Sequence, residues 1–329
     1  MFLRRILAIT VSKASIILGR LMGKKGSSTP GGIALKICPD ILSYLSKQIK
    51  KEIIFICGTN GKTTTSNLLY SMIKNEGKKV VCNNVGANML PGVCCAFVES
   101  ANIFGKINAD YAVIECDEAA AVRVFPQLKP KVIVVTNLFR DQLDRYGEVT
   151  HTLENIRKAI CGTPESLLCL NADCSLTASL ALDLPNKVRW FGIEKGAMPP
   201  HGKTELSDAS HCIRCKAEYE YDYISYGHLG GFRCPKCGYC RHKADYAVTD
   251  IVEQGINGST VVMDMDGEKR IVSINLPAIY NIYNAAGAAA AITAMGMDRE
   301  AALKALGTFK CGFGRMEQFA LGGGTKIML

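Results

Sequence analysis

The sequence contains no apolar run long enough to cross a bilayer. Its most apolar opening, MFLRRILAITVSKASIILGRLMG, is broken by Lys13 and Arg20, so no run of about 18 apolar residues survives. No clean cleavage site follows the charged start either, which argues against a secretory signal peptide. An amphipathic helix, packed on a domain or resting on a membrane surface, fits this pattern. Acid is nearly missing from the first 51 residues, where Asp40 alone stands against Arg4, Arg5, Lys13, Arg20, Lys24, Lys25, Lys36, Lys47, Lys50 and Lys51. Such a patch attracts nucleic acid, an anionic membrane face or a phosphorylated substrate. Few clusters of aromatic and basic residues support the first of these.

Apolar residues are plentiful. At 329 residues and 48% hydrophobic, the chain can bury a full core, and its length suggests two or three domains. Fifteen cysteines would suggest disulfides in a small secreted protein. Most of them, however, sit singly in apolar runs such as Ile56-Cys57 and Leu168-Cys169-Leu170. They read as buried thiols in a reducing cytosol.

GKKGSSTPGG, from Gly23 to Gly32, has the composition of a loop. Beyond it the pattern predicts strands at Lys51 to Cys57, Lys79 to Cys82, Tyr111 to Glu115 and Lys131 to Thr136, with a helix from Thr63 to Asn75. The rhythm resumes at Leu167 to Asp173 and Val188 to Gly192. Strands alternating with helices predict an α/β fold, a parallel sheet covered on both faces. Between about Lys203 and Asp245 tyrosines, glycines and cysteines replace that rhythm, marking an insertion. Strands joined by tight turns follow from Ala247 to about Ile274, then an alanine-rich helix from Tyr283 to Ala294. The last residues, ALGGGTKIML, read as the start of a hairpin.

The common phosphate-loop pattern places a glycine five residues before the Gly-Lys pair, and here that position is Ile56. The loop is instead the compact Gly58-Thr59-Asn60-Gly61-Lys62-Thr63, with Thr64 next, set between an apolar strand and a helix. In that setting backbone N–H groups approach phosphate oxygens, the helix N-terminus adds positive potential, and Lys62 reaches the terminal phosphates. Thr63 offers a hydroxyl to Mg²⁺, which prefers hard oxygen ligands. YAVIECDE supplies the carboxylate, with Glu115 at a strand end and Asp117 and Glu118 just past it. We assign the magnesium role to Glu115.

Cys212-x2-Cys215 and Cys234-x2-Cys237 have the spacing of a tetrahedral Zn²⁺ site. Cys240 repeats the spacing and could replace one ligand, and His211 and His242 are lesser competitors. Four thiolates with no open position describe a structural zinc. It would stabilise an insertion with too little core of its own.

GTNGKTT, IECDE, TNLFRDQLDRYGE, LNAD, YNIYNA and GRMEQF occur in this order, and the set resembles the motifs of the Mur ligase family. Those ATP-dependent enzymes join peptide precursors of the bacterial cell wall. The resemblance, over roughly residues 35 to 319, implies an ATP-binding domain with a Mur ligase-type central parallel sheet and a phosphate loop. It places Asn281 and Asn284 near the adenine, Arg315 on the phosphates as a catalytic residue beside Lys62 and Glu115, and Asn84 near the reacting oxygens. Two positions depart from the family. Gln142 stands where ordinary members carry a metal-binding His, and Ile156 stands at about the position of a carbamylated Lys, with Arg157 and Lys158 adjacent but out of register.

DQLDRYGE, the four-cysteine insertion and GKKGSSTPGGIALKICPDIL resemble one branch of that family, the synthetase subunits of lipid II isoglutaminyl synthase. That branch works with a GatD-type glutaminase that supplies ammonia. It implies ATP-dependent amidation of the D-glutamate α-carboxylate in the lipid II stem peptide, at the cytoplasmic side of the membrane. A ligase that adds an amino acid is the alternative, disfavoured by Gln142 and the insertion. The implied domains are a basic helix and linker at 1–48, the ATP-binding domain at 49–310 with its insertion at about 203–245, and the start of a C-terminal domain at 311–329. With most of that last domain outside the sequence, the chain alone is expected to be poorly active.

Overall fold

The computed structural model describes residues 1–23, 27–83, 87–139, 148–198 and 209–310, and two short strands beyond them. In chain order the elements are α1 (Phe2–Leu21), α2 (Thr29–Ile37), α3 (Ile41–Ser46), β1 (Glu52–Cys57), α4 (Lys62–Asn75), β2 (Val80–Cys82), α5 (Leu90–Ser100), β3 (Tyr111–Glu115), α6 (Glu118–Leu128), β4 (Val132–Val135), α7 (Glu148–Cys161), β5 (Leu167–Asn171), α8 (Ser175–Ala178) and β6 (Val188–Ile193). They continue as β7 (Glu220–Tyr226), β8 (Leu229–Arg233), β9 (Tyr246–Gly255), β10 (Gly258–Met265), β11 (Glu268–Ile274), α9 (Ile279–Ala294), α10 (Arg299–Thr308), β12 (Gln318–Ala320) and β13 (Lys326–Met328).

Nine strands form one sheet in the order β11-β10-β9-β6-β5-β4-β1-β3-β2. Strands β1 to β6 and the β6–β9 pair run parallel, and the β9–β10–β11 meander is antiparallel. The expected α/β sheet is therefore present, with an antiparallel edge. Buried runs such as Ile53 to Cys57 and Val132 to Val135 form its centre because both faces are covered. Helices α4, α9 and α10 pack on one face, and α5, α6 and α7 on the other. Strand β1 lies between β3 and β4, so successive crossovers depart from it in opposite directions. The carboxyl end of β1 is thus a crevice of the kind where open α/β sheets bind ligands.

The segment read as a loop through Gly32 is instead helical from Thr29. A Cβ on Gly31 would lie 1.8 Å from Pro91 O and 2.6 Å from Cys95 N. This glycine therefore lets α2 lie against α5, and serves close helix packing where composition suggested a turn. Ala8, Ile9, Ala34, Ile41, Leu42 and Leu45 belong to the same buried cluster as the sheet. Helices α1, α2 and α3 are thus part of the main body, with more helix after Ser28 than composition indicated.

Candidate functional site: a phosphate loop beside a cysteine-stapled insertion

Residues 58–61 leave β1 as a tight turn and α4 begins at Lys62. Gly61 has φ +83°, and a Cβ there would meet Asn284 Oδ1 at 2.1 Å. The residue is glycine because a left-handed turn and a close neighbour coincide. The loop is braced from the segment after β4. Thr59 N–H donates to Asn137 O (2.8 Å) and Asn60 N–H to Asn137 Oδ1 (2.9 Å), while Thr136 Oγ1 and Asn137 Nδ2 donate to Asn60 O (2.7 and 3.1 Å). Motif reading gave Thr136 and Asn137 no role. Their signal was a polar Thr-Asn pair directly after a fully apolar strand.

Lys62 Nζ donates to Gly58 O (2.6 Å), Thr59 O (3.1 Å) and Glu118 Oε1 (3.0 Å). The same Glu118 oxygen accepts from Gly58 N–H at 3.1 Å. An anion therefore lies between the loop's first N–H and its lysine, the arrangement this turn offers to phosphate.

Glu115 ends β3 beside Ile56 of β1. Asn83 holds its main chain, accepting from Glu115 N–H (2.9 Å) and donating to Glu115 O (2.7 Å). The residue is 3% exposed, and its Oε2 has no hydrogen-bond partner among the described residues. A buried carboxylate oxygen left unbonded costs free energy unless a cation takes it. With Thr63, also buried near the start of α4, Glu115 supplies the hard oxygen donors that fit Mg²⁺.

Asn281 and Asn284 are buried in the first turns of α9. Asn284 Nδ2 donates to Asn281 Oδ1 (3.0 Å), and Thr65 Oγ1 of α4 donates to Asn284 Oδ1 (3.4 Å). The pair thus stands directly behind the loop. Ile156 is fully buried in the main core, and Arg157 turns away to Asp183 (2.6 Å). Asn84, Gln142 and Arg315 lie outside the described residues.

The insertion has its own small core of Cys212, Tyr219, Phe232, Cys234 and Tyr239. The ligand atoms of Cys212, Cys215, Cys234 and Cys237 all lie within 4.8 Å of one another. Burial works to raise the thiols of Cys212 and Cys234, but the backbone N–H groups two and three residues on in each knuckle overcome it; Cys234 falls to about 6. Cys237, despite the Tyr239 N–H, is raised to about 12 by burial and its neighbouring thiols, so the closed group of four fits Zn²⁺ by its geometry and donor set. Cys240 is exposed and outside the group, His211 bonds Ser210 (2.8 Å), and His242 stacks on Trp190 at 4.1 Å. None of the three competitors joins the cluster.

A buried ion pair ties the insertion to the sheet. Asp173 of the LNAD segment is fully buried and accepts from Arg241 Nε (2.7 Å), Ile193 N–H (2.9 Å) and Tyr283 Oη (2.5 Å). Burial works to lower the Arg241 guanidinium, and Asp173, with Tyr223 and Glu194, more than reverses it.

The Mur ligase middle domain matches residues 56–234. Over 98% of its length the chain is 35% identical to the MurT subunit of lipid II isoglutaminyl synthase (glutamine-hydrolyzing) from Streptococcus pneumoniae, covering 70% of that protein. The chain belongs to the Mur ligase family, in its branch of MurT subunits. The corresponding Staphylococcus aureus subunit is 33% identical, with 96% of this chain and 69% of that protein covered. Among solved structures, a pseudomurein peptide ligase type C from Methanothermus fervidus superposes with a TM-score of 0.67 at 27% identity, covering 84% of this chain and 53% of that one. The Mur ligase-type sheet with an inserted four-cysteine ribbon is thus the fold the motifs implied.

Proposed function

We propose that this chain is the ATP-dependent synthetase for amidation of the D-glutamate α-carboxylate in the lipid II stem peptide, giving D-isoglutamine for peptidoglycan. The observation that carries the reading is the anion cradle of Gly58 and Lys62, filled here by the Glu118 carboxylate, beside the unbonded Glu115 oxygen, in a chain with MurT relatives. A carboxylate is a poor electrophile because oxide would have to leave. Attack of its oxygen on the ATP γ-phosphorus, with ADP departing, makes an acyl phosphate. Ammonia then attacks the acyl carbon and phosphate leaves, so the nitrogen ends as carboxamide. Such chemistry asks for positioning and charge neutralisation.

Residues Gly58 to Thr64 bind the phosphates, Lys62 neutralises the γ-phosphoryl charge, and Asn281 and Asn284 stand toward the adenine. Arg315 is assigned a catalytic role on the phosphates. Thr63 and Glu115 would hold Mg²⁺, which would supply charge stabilisation on the phosphates when bound. Zinc on Cys212, Cys215, Cys234 and Cys237 is structural. A GatD-type glutaminase supplies ammonia as the partner subunit. The work is done in the cytoplasm, at the inner membrane face. Helix α1 presents Phe2, Leu3, Leu7, Leu18 and Leu21 to solvent and carries Arg4, Lys13 and Arg20, a surface suited to a membrane interface. No described helix is long and apolar enough to cross a membrane.

The deciding experiment offers the full-length protein ATP, magnesium, lipid II and either ammonium or amino acids, and reads the product by mass spectrometry. Conversion of one carboxyl to carboxamide, abolished by Lys62→Ala, is the expected result. Extension of the peptide by an amino-acid residue would identify an amino-acid-adding ligase instead.

A further inference from the structure

The hairpin of the insertion turns at Tyr226, Gly227 and His228 between β7 and β8. All three residues meet one side chain of the main domain, Phe139. Its ring centroid lies 4.5 Å from that of His228 and 5.7 Å from that of Tyr226. Gly227 has φ +57°, and a Cβ there would lie 2.7 Å from Phe139 Cε1. His228 is 1% exposed, and the adjoining β8 is fastened where Gly230 N–H donates to Asp173 O at 3.0 Å. The hairpin tip is therefore seated, and Phe139 is what it presses on.

Phe139 in turn holds the phosphate loop. Its N–H donates to Thr59 Oγ1 (3.0 Å), and that hydroxyl donates to Phe139 O (3.2 Å). Thr59 N–H is bound to Asn137 O two residues earlier. The contacts run without a gap from Gly227 to Phe139 to Thr59. Backbone N–H groups stabilise phosphate best when held in place beforehand, and a glycine-rich turn is costly to order. A two-stranded hairpin is marginal alone, so the cysteine cluster at its base and the Asp173–Arg241 pair are what make it rigid enough to brace anything.

We propose that the tip of the cysteine-stapled insertion positions the nucleotide loop: Gly227 and His228 fix Phe139, and Phe139 fixes Thr59. Phe139, Gly227 and His228 are positioning residues that touch no ligand. The inference rests on the reading of residues 58–63 as a nucleotide site, and its test separates the two.

Binding of the magnesium complex of AMP-PNP would be measured by calorimetry for the full chain and for Lys62→Ala, Gly227→Ala, Phe139→Leu and the Gly227→Ala/Phe139→Leu double variant. Zinc content and thermal midpoint would be followed alongside. Gly227→Ala and Phe139→Leu are each expected to weaken binding about tenfold with zinc retained. The double variant should lose no more than the worse single one, because both changes act on one contact. If Lys62→Ala weakens binding while folded Gly227→Ala and Phe139→Leu bind within about twofold of the parent, or if their losses simply add, the positioning role is wrong and the nucleotide site stands. If Lys62→Ala binds as the parent does, the nucleotide reading fails and this inference with it. Should Gly227→Ala lose zinc or fail to fold, Phe139→Leu, which leaves the hairpin intact, decides alone.

Discussion

Glu118 Oε1 lies 3.0 Å from Lys62 Nζ and 3.1 Å from Gly58 N–H, so a carboxylate of the chain itself sits in the anion cradle. Both side chains are 13% exposed, and little solvent screens the pair. A phosphate entering this turn has to displace a like charge. Glu118→Gln is therefore expected to tighten binding of magnesium AMP-PNP by about threefold to tenfold. Glu115→Gln should weaken it and blunt its dependence on magnesium. Weakening by Glu118→Gln would make Glu118 a metal ligand, and unchanged magnesium dependence in Glu115→Gln would count against the assignment to Glu115.

Removing Asp173 should unfold more than it touches. Asp173→Asn would leave the Arg241 guanidinium, only 12% exposed, without its buried partner, at a cost of about 3–5 kcal/mol. Tyr283→Phe, which deletes one hydrogen bond to the same carboxylate, should cost about 1 kcal/mol. Urea unfolding followed by circular dichroism compares them, and a loss below about 1 kcal/mol for Asp173→Asn would mean the pair is not buried as described.

The four-cysteine group should hold one zinc ion per chain. Elemental analysis is expected to find it depleted in Cys234→Ser and unchanged in Cys240→Ser. Cobalt substitution should give thiolate charge-transfer absorption. Because each thiolate ligand must lose its proton to bind, zinc should be held at neutral pH and released progressively on acidification, as protons compete for the four sulfurs. Retention of zinc by Cys234→Ser together with loss in Cys240→Ser would exchange the ligands.

Thiol chemistry tests the sheet. Burial pushes the Cys57 thiol well above its ordinary range and Cys169 up to about 12, whereas Cys161 and Cys240 are exposed. Brief iodoacetamide treatment near pH 8 should label Cys161 and Cys240 while sparing Cys57 and Cys169 until denaturant is added. Native labelling of Cys57 would contradict its place in the central strand.

Helix α1 offers the fifth test. Flotation with phosphatidylglycerol vesicles is expected to carry the protein and to lose it in Leu7→Asp/Leu18→Asp, two exposed positions whose change should leave the thermal midpoint in place. Equal flotation of parent and variant would remove α1 from any membrane role.

Much of this could be read directly from the chain. A strand-glycine-helix order with Lys62 at its turn needs only neighbouring residues, and so does the spacing within each cysteine knuckle. Apolar runs and their turns specified the strands, because alternation and burial are written locally. Composition misled where a residue answers to a distant neighbour: Gly31 looked like loop and is a helix contact with Pro91.

Folding alone decided which groups converge on the loop. Lys62 meets Glu118 across 56 residues, Asp173 meets Tyr283 across 110, and Thr65 meets Asn284 across 219. No local period encodes those distances. They follow from a sheet that brings the ends of β1, β3 and β4 to one edge and from a stapled hairpin that returns to it. The sequence by itself determined the groups available, a glycine-lysine turn ahead of a helix and two spaced cysteine pairs. Tertiary structure decided that the tip of the stapled hairpin reaches the loop, because only the packed fold places Phe139 against both.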